Sequence, residues 1–370
     1  MISTVRGILS LSKAETSDSS SDEDKGGDKK VLSVSWNQDW SGFIVGTKTG
    51  FNVYNSNPIK EKIIRDPHVS GLRIAEMLFF SNIFALVGNG YNSSEYPPNK
   101  VFIWDDLRNK CFCELAFRSP VIAVKLRREH IVVVLRKNIY VYCFKNLRVH
   151  CQIETAKNPK GLCCISNAET KAILACPGFQ QGQVQVHDLR RNIIKIIQAH
   201  ESDISCLSLT LDGSILATAS VKGTLIRIFN PLNGTLLQEL RRGIERAVIY
   251  SIAISLNLKW VAASSDKGTL HVFRLRPDVL SLDKNITDQA SSFSFIRGIL
   301  PKYLYDNERS FAQFSLPAST KFIVGFGPEN TVLVVGVDGR FDDGEGGEMV
   351  ELEHKHFFSL PQTDDTIVDT

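Results

Sequence analysis

The chain has 370 residues, 43% of them hydrophobic, with 43 lysines and arginines against 40 aspartates and glutamates. That length and apolar content support one large folded domain or two ordinary ones, and a net charge of +3 excludes a protein that coats nucleic acid through bulk charge. Apolar runs such as residues 131–135 stop far short of the roughly 20 that cross a bilayer, and no apolar signal core opens the chain, so a soluble protein made in the cytosol is expected.

In chain order, the short apolar piece at residues 5–11 has no assignable partner. Residues from about 13 to 30 are Ser, Asp, Glu, Lys and Gly with almost nothing apolar, so they cannot offset the entropy of ordering. Residues 1–30 are therefore read as a disordered tail, in which Ser19, Ser20 and Ser21 precede Asp22-Glu23-Asp24 in a pattern that suits an acid-directed kinase. From Val31 onward, short β-branched runs alternate with turn residues, and a unit of two or three strands recurs at close to the roughly 40–45 residues of a propeller blade.

Inner strands are predicted at residues 31–36, 121–126, 204–209 and 250–255. Closing runs are predicted around Phe51, Trp104, Tyr140, His187, Phe229, Phe273 and Val334, and Trp104-Asp105 is a literal WD dipeptide. The expected fold class is all-β: a seven-bladed WD-repeat-type β-propeller over residues 31–358, followed by a disordered tail at 359–370. After Asp338-Gly339-Arg340-Phe341 the chain passes at once to Asp342-Asp343-Gly344-Glu345-Gly346-Gly347, which leaves the last blade short of a strand.

Residues that carry reaction chemistry are missing. There is no Gly-x-Ser-x-Gly elbow, no Gly-Lys-Ser/Thr phosphate loop and no His-Glu-x-x-His helix, so neither an enzyme nor a cofactor is expected. Cys111-x-Cys113 and Cys163-Cys164 lack a second Cys or His pair at zinc-finger spacing, so the eight cysteines are read as buried thiols and no metal site is expected.

The informative stretch is Leu240-Arg241-Arg242-Gly243. Two adjacent arginines in extended backbone point to opposite sides, so one pair can serve two anion pockets. On each side lies a near-copy of one segment: Ala219-Ser220-Val221-Lys222-Gly223-Thr224-Leu225 before, and Ser264-Ser265-Asp266-Lys267-Gly268-Thr269-Leu270 after. Each offers hydroxyls, a lysine and a glycine turn, the groups that hold phosphate oxygens.

In this setting the triplet resembles the signature of the PROPPIN family, β-propellers that bind polyphosphoinositides in autophagy and endosomal traffic. The resemblance extends to Tyr96-Pro97-Pro98-Asn99-Lys100-Val101-Phe102-Ile103-Trp104-Asp105-Asp106 and to Asn158-Pro159-Lys160-Gly161, and its wording is nearest to plant members. It implies a first headgroup site of His200, Ser220, Thr224, Arg227 and Arg241, and a second of Arg242, Ser264, Lys267, Thr269 and His271, with Arg246 at the rim. It also places a membrane-inserting loop at residues 277–309, where Phe293, Phe295, Ile296, Ile299, Leu300 and Tyr303 would enter the bilayer.

The ligands implied are phosphatidylinositol 3-phosphate and the 3,5-bisphosphate. A cytosolic protein would then sit peripherally on phagophore, endosomal or vacuolar membranes, and an autophagy-related lipid-transfer protein would dock near residues 96–106, where Tyr96-Pro97-Pro98 is expected to make a stiff exposed loop. No nucleic-acid partner is expected. Histidines in both pockets suggest stronger binding at mildly acidic pH, because free imidazole titrates near 6.5. The competing reading is a WD-type protein scaffold without lipid binding.

Overall fold

Each β-branched run becomes a strand, and the turn residues between runs fold the strands into antiparallel meanders. The protein is described by a computed structural model covering residues 4–9, 31–65, 71–90, 96–276, 308–316, 320–328, 331–337 and 350–355. β1 (Thr4–Leu9) opens the chain. The first meander is β2 (Val31–Trp36), β3 (Gly42–Thr47), β4 (Phe51–Ser56) and β5 (Ile59–Arg65); the second is β6 (Leu72–Met77), β7 (Ile83–Gly88), β8 (Lys100–Asp105) and β9 (Lys110–Ala116). The third is β10 (Ala123–Arg127), β11 (His130–Val134), β12 (Asn138–Cys143) and β13 (Val149–Glu154), and the fourth β14 (Cys164–Ile165), β15 (Ile173–Pro177), β16 (Gln183–Asp188) and β17 (Ile193–Gln198).

The fifth holds β18 (Ile204–Leu209), β19 (Leu216–Ser220), β20 (Leu225–Phe229) and β21 (Leu236–Arg241), and the sixth β22 (Ile249–Ile254), β23 (Trp260–Ser265) and β24 (Thr269–Arg274). β25 (Glu308–Arg309) then returns to the fifth sheet as an added strand parallel to β21, and β26 (Ala312–Ser315) completes the sixth. β27 (Phe322–Phe326), β28 (Val332–Gly336) and β29 (Val350–Lys355) share a last sheet with β1, in the order β27-β28-β1-β29.

The result is an all-β propeller. Its core lies between sheets: second strands such as β3 and β11 are buried at every position, and each apolar cluster joins neighbouring sheets. Val335 of β28 packs with Phe43, Val45 and Tyr54 of the first sheet, so the two ends of the chain meet and the ring is closed.

Three readings of the sequence change. Each blade carries a further outer strand beyond the closing run. β5, β9, β13 and β17 are exposed along at least one face, and the apolar residues they expose there, Ile64, Phe112, Val149 and Ile194 among them, blur the apolar alternation that marks inner strands. The segment assigned to an N-terminal tail contributes β1, and the last sheet, expected to be short of a strand, has four. β1 pairs in parallel with both β28 and β29, Val5 opposite Val332 and Thr4 opposite Val350. Tyr96, Pro97 and Pro98 are half-buried and not an exposed loop, because the Tyr96 ring packs 4.5 Å from that of Phe102.

Residues 10–30 and 356–370 lie outside the described residues. So do 277–307, with Phe293, Phe295, Ile296, Ile299, Leu300 and Tyr303 among them. The last two residues of the 277–309 segment are β25.

Candidate anion-binding site

The site forms where the fifth and sixth sheets meet, because β21 ends on the arginine pair and its link to β22 crosses between two near-identical turns. Leu240 is fully buried and anchors the end of β21, with Arg241 opposite Leu225 in the ladder and half-buried. Arg242, the next residue, is nine-tenths buried.

The link is stapled to both turns. On the side of the fifth sheet, the amides of Arg242 and Ala247 donate to the carbonyls of Thr224 and Lys222 at 2.9 and 3.1 Å. On the side of the sixth, the Val248 amide donates to Asp266 Oδ1 at 2.8 Å and the Asp266 amide to the Val248 carbonyl at 3.1 Å. Gly223 has φ of +62°, and a side-chain carbon there would fall 1.8 Å from the Ala247 carbonyl oxygen. Only glycine lets the turn and the link come this close.

Arg242 is partly committed to structure. Its Nε donates to the Gly223 carbonyl at 2.9 Å and its Nη2 to the Glu245 carbonyl. Two of its five N–H groups therefore brace the turn and the link, and at most three remain for an anion. Burial pulls its pKa below the usual value, while Asp266 and Glu245 act in the opposite sense.

The residues assigned with Arg241 to the first site lie on or beside the fifth sheet. Ser220 closes β19, Thr224 precedes β20, and Arg227 projects from β20. Arg227 is already engaged, with Nε 2.7 Å from Glu239 Oε2 in an in-register cross-strand pair and Nη1 donating to the Ala199 carbonyl at 2.7 Å. His200 is buried, with Nε2 2.9 Å from Thr218 Oγ1. Burial, then the nearby Arg227 charge, pushes the pKa of His200 down to about 4.

On the other side, Ser264 is buried and its hydroxyl donates to the Phe322 carbonyl at 2.7 Å, tying the sixth sheet to the last. Lys267 is exposed on its turn, with Nζ 4.0 Å from Glu245 Oε2. Thr269 begins β24, and His271 lies buried two residues on, stacked on Phe273 at 6.1 Å. The Nδ1 of His271 is buried without a hydrogen-bond partner among the described residues, and its pKa is pushed down to about 4 by burial and then by Arg242. Arg246 is exposed in the link.

The two sets thus lie on the fifth and sixth sheets with the seven-residue link between them, and the side chain of Arg242, assigned to the second set, bonds back to the Gly223 turn on the fifth-sheet side. The free protein lends the expected acid-strengthened binding no ready-made charge: with both pKa values pushed down to about 4, the two imidazoles are neutral at pH 6 before an anion binds. Sequence reasoning also missed Glu239, which competes for Arg227, and the Gly223 and Glu245 carbonyls that hold Arg242. Glu239 is legible once the β20–β21 register is known; the backbone acceptors leave no trace in side-chain identity. Among the described residues no cluster of three His, Cys, Asp or Glu side chains forms a metal site, and no helix is long and apolar enough to cross a membrane. All eight cysteines are free.

Residues 31–296 match the PROPPIN family model. The chain is 70% identical to autophagy-related protein 18e of Arabidopsis thaliana over 374 aligned positions, covering 100% of this chain and 98% of that one. It is 30% identical to autophagy-related protein 18 of Dictyostelium discoideum, covering 91% and 96%. Among solved structures, Hsv2 of Kluyveromyces lactis superposes with a TM-score of 0.64 at 23% identity, covering 85% of this chain and 98% of that one. A complex of KlAtg21 with the coiled coil of AgAtg16 contains a chain that superposes with a TM-score of 0.66 at 23% identity, covering 87% and 96%.

Proposed function

The chain belongs to the PROPPIN family, and on that footing we propose that it is a phosphoinositide effector of autophagy, a seven-bladed propeller that recruits partners to membranes and turns over no substrate. Its ligand is phosphatidylinositol 3-phosphate, with the 3,5-bisphosphate as a second. The observation that supports this reading is the arginine pair at the end of β21, from which one link runs between two hydroxyl-bearing glycine turns and bonds to both.

A monoester phosphate is gripped by a guanidinium through parallel charge-assisted hydrogen bonds, while hydroxyls satisfy its remaining oxygens. In the first site Arg241 takes this role, with Ser220 and Thr224 beside it and Arg227 shared with Glu239. In the second, the free donors of Arg242 act with Lys267 and Thr269; Ser264, whose proton goes to the Phe322 carbonyl, accepts from an inositol hydroxyl, and Arg246 meets neighbouring headgroups. His200 and His271 serve as neutral polar groups.

Two headgroups in one bilayer bind as an effectively intramolecular pair, which raises avidity by roughly 10²–10⁴ over one site. The apolar residues of 277–309 would add about 1.5–3 kcal/mol for each large side chain buried in lipid. The protein is accordingly assigned to the cytosol and to phagophore, endosomal or vacuolar surfaces. Partners are a lipid-transfer protein at the second and third sheets and a coiled-coil protein, by analogy with the complex of KlAtg21.

Co-sedimentation with vesicles carrying phosphatidylinositol 3-phosphate or unphosphorylated phosphatidylinositol tests the reading. Wild type should pellet only with the phosphorylated lipid, and Arg241→Thr/Arg242→Thr should remain in solution. Equal pelleting of both proteins, or of neither, would favour a protein scaffold without lipid binding.

A further inference from the structure

The fourth sheet ends on a strand unlike the outer strands of the first three sheets. A sheet edge presents unpaired N–H and C=O groups that template pairing with another chain, and proteins blunt such edges with charged side chains. The outer strands β5, β9 and β13 each expose one large apolar side chain, Ile64, Phe112 and Val149, among lysine, glutamate and glutamine. β21 is covered by β25. β17 carries a single charge, Lys195, among three exposed isoleucines: Ile193, Ile194 and Ile196 are 56, 58 and 47% exposed, and among the described residues the strand pairs only with β16.

Beside this edge runs a groove of about 330 Å³ between the fourth and fifth sheets, lined by Lys195, Ile197, Phe229 and Leu236 among others. Lys195 and Ile197 share one face of β17 and lie against Gly234, the turn between β20 and β21. Ile194 and Ile196 occupy the opposite face. Lys195 has no carboxylate within ion-pair distance among the described residues, and Arg191, just before the strand, is 72% exposed with only a 3.9 Å contact to Asp188. The edge is therefore apolar on both faces and positively charged.

We infer that β17 is a docking edge for an extended segment of a partner protein in which β-branched and acidic residues alternate. The segment adds to the fourth sheet as a fifth strand, as β25 adds to the fifth sheet within this chain. Alternate residues of β17 direct their N–H and C=O groups away from β16, and these supply the main-chain bonds. Ile194 and Ile196 pack the incoming β-branched side chains on one face, and Lys195 with Arg191 pairs its acids on the other. β17 itself contributes no headgroup residue, although Arg227 of the first headgroup site lines the groove beside it.

The probe is a fluorescent seven-residue peptide of alternating glutamate and valine, titrated into the full chain by anisotropy, with two isomers N-methylated along one edge or the other. Saturable binding is expected, abolished by methylation on one edge and retained within about twofold by methylation on the other, since only one edge faces β17. Ile194→Glu/Ile196→Glu should weaken it at least about tenfold. The substituted positions are exposed, and an unchanged thermal melt confirms that the variant folds.

Absence of saturable binding, equal binding of the two methylated isomers, or equal affinity of wild type and variant would overturn the inference. So would two other patterns without peptide binding: a dimer that the double substitution dissolves assigns the edge to a second copy, and vesicle binding that it abolishes assigns the edge to the bilayer.

Discussion

Arg241 and Arg242 are neighbours of identical chemistry, yet the fold uses them differently. Arg241 sits half-buried at the end of a ladder, whereas Arg242 is nine-tenths buried and fastens the Gly223 turn to the link that follows it. The Arg242 side chain is committed to the scaffold through two backbone carbonyls, whatever else it binds. Residues at a binding site therefore cannot be ranked by charge alone, because a guanidinium that already satisfies buried carbonyls cannot be removed without consequence to the scaffold.

The largest effect is expected from Arg242→Ala. It removes one anion pocket and leaves the Gly223 and Glu245 carbonyls without their donor, so vesicle affinity should fall together with a stability loss of about 2 kcal/mol or more in chemical denaturation. Arg241→Ala should fall as far on vesicles, roughly 10²-fold when avidity reduces to one site, with a smaller stability loss than Arg242→Ala because Arg241 is half-buried where Arg242 is nine-tenths buried. Equal destabilisation by both substitutions would erase the distinction between the two sides.

Gly223→Ala probes the link itself. A left-handed conformation costs a non-glycine residue about 1–2 kcal/mol, and the new carbon would meet the Ala247 carbonyl. Both pockets should weaken several-fold, and a crystal structure of the variant should show residues 242–248 displaced.

The smallest effect is that of pH. His200 and His271 have folded-state values near 4, below the 6.5 of a free imidazole, so the unfolded chain binds more protons as pH falls from 6.5 toward 4. Stability is fully present above about pH 6.5 and declines through that window. Vesicle binding should stay level or weaken between pH 7.5 and 6, since the imidazoles remain neutral while a phosphate monoester sheds charge near pH 6. Strengthening over that range would mean that the bound headgroup drives protonation of a histidine.

The propeller was legible because seven closing runs recur at a blade-like spacing and their partners lie nearby in sequence. The outer strands were not, since Ile59–Arg65 and Lys110–Ala116 face solvent and lose the alternation. β1 escaped because its ladder partner Val332 is more than 300 residues away and six residues carry no signal of where they pair. The arginine pair and both hydroxyl-rich turns stood out as a repeated pattern. Burial did not, and it is burial that neutralises the two histidines and converts Arg242 into a brace.

The central claim, that one arginine pair serves two separate anion pockets, is tested most directly by calorimetric titration of soluble inositol 1,3-bisphosphate into folded wild type, Arg241→Ala and Arg242→Lys. Two equivalents should bind to wild type and one to each variant, with Arg242→Lys keeping a charge but losing the guanidinium fork that holds both brace and phosphate. A single equivalent in wild type, or two in either variant, would contradict the division of the pair.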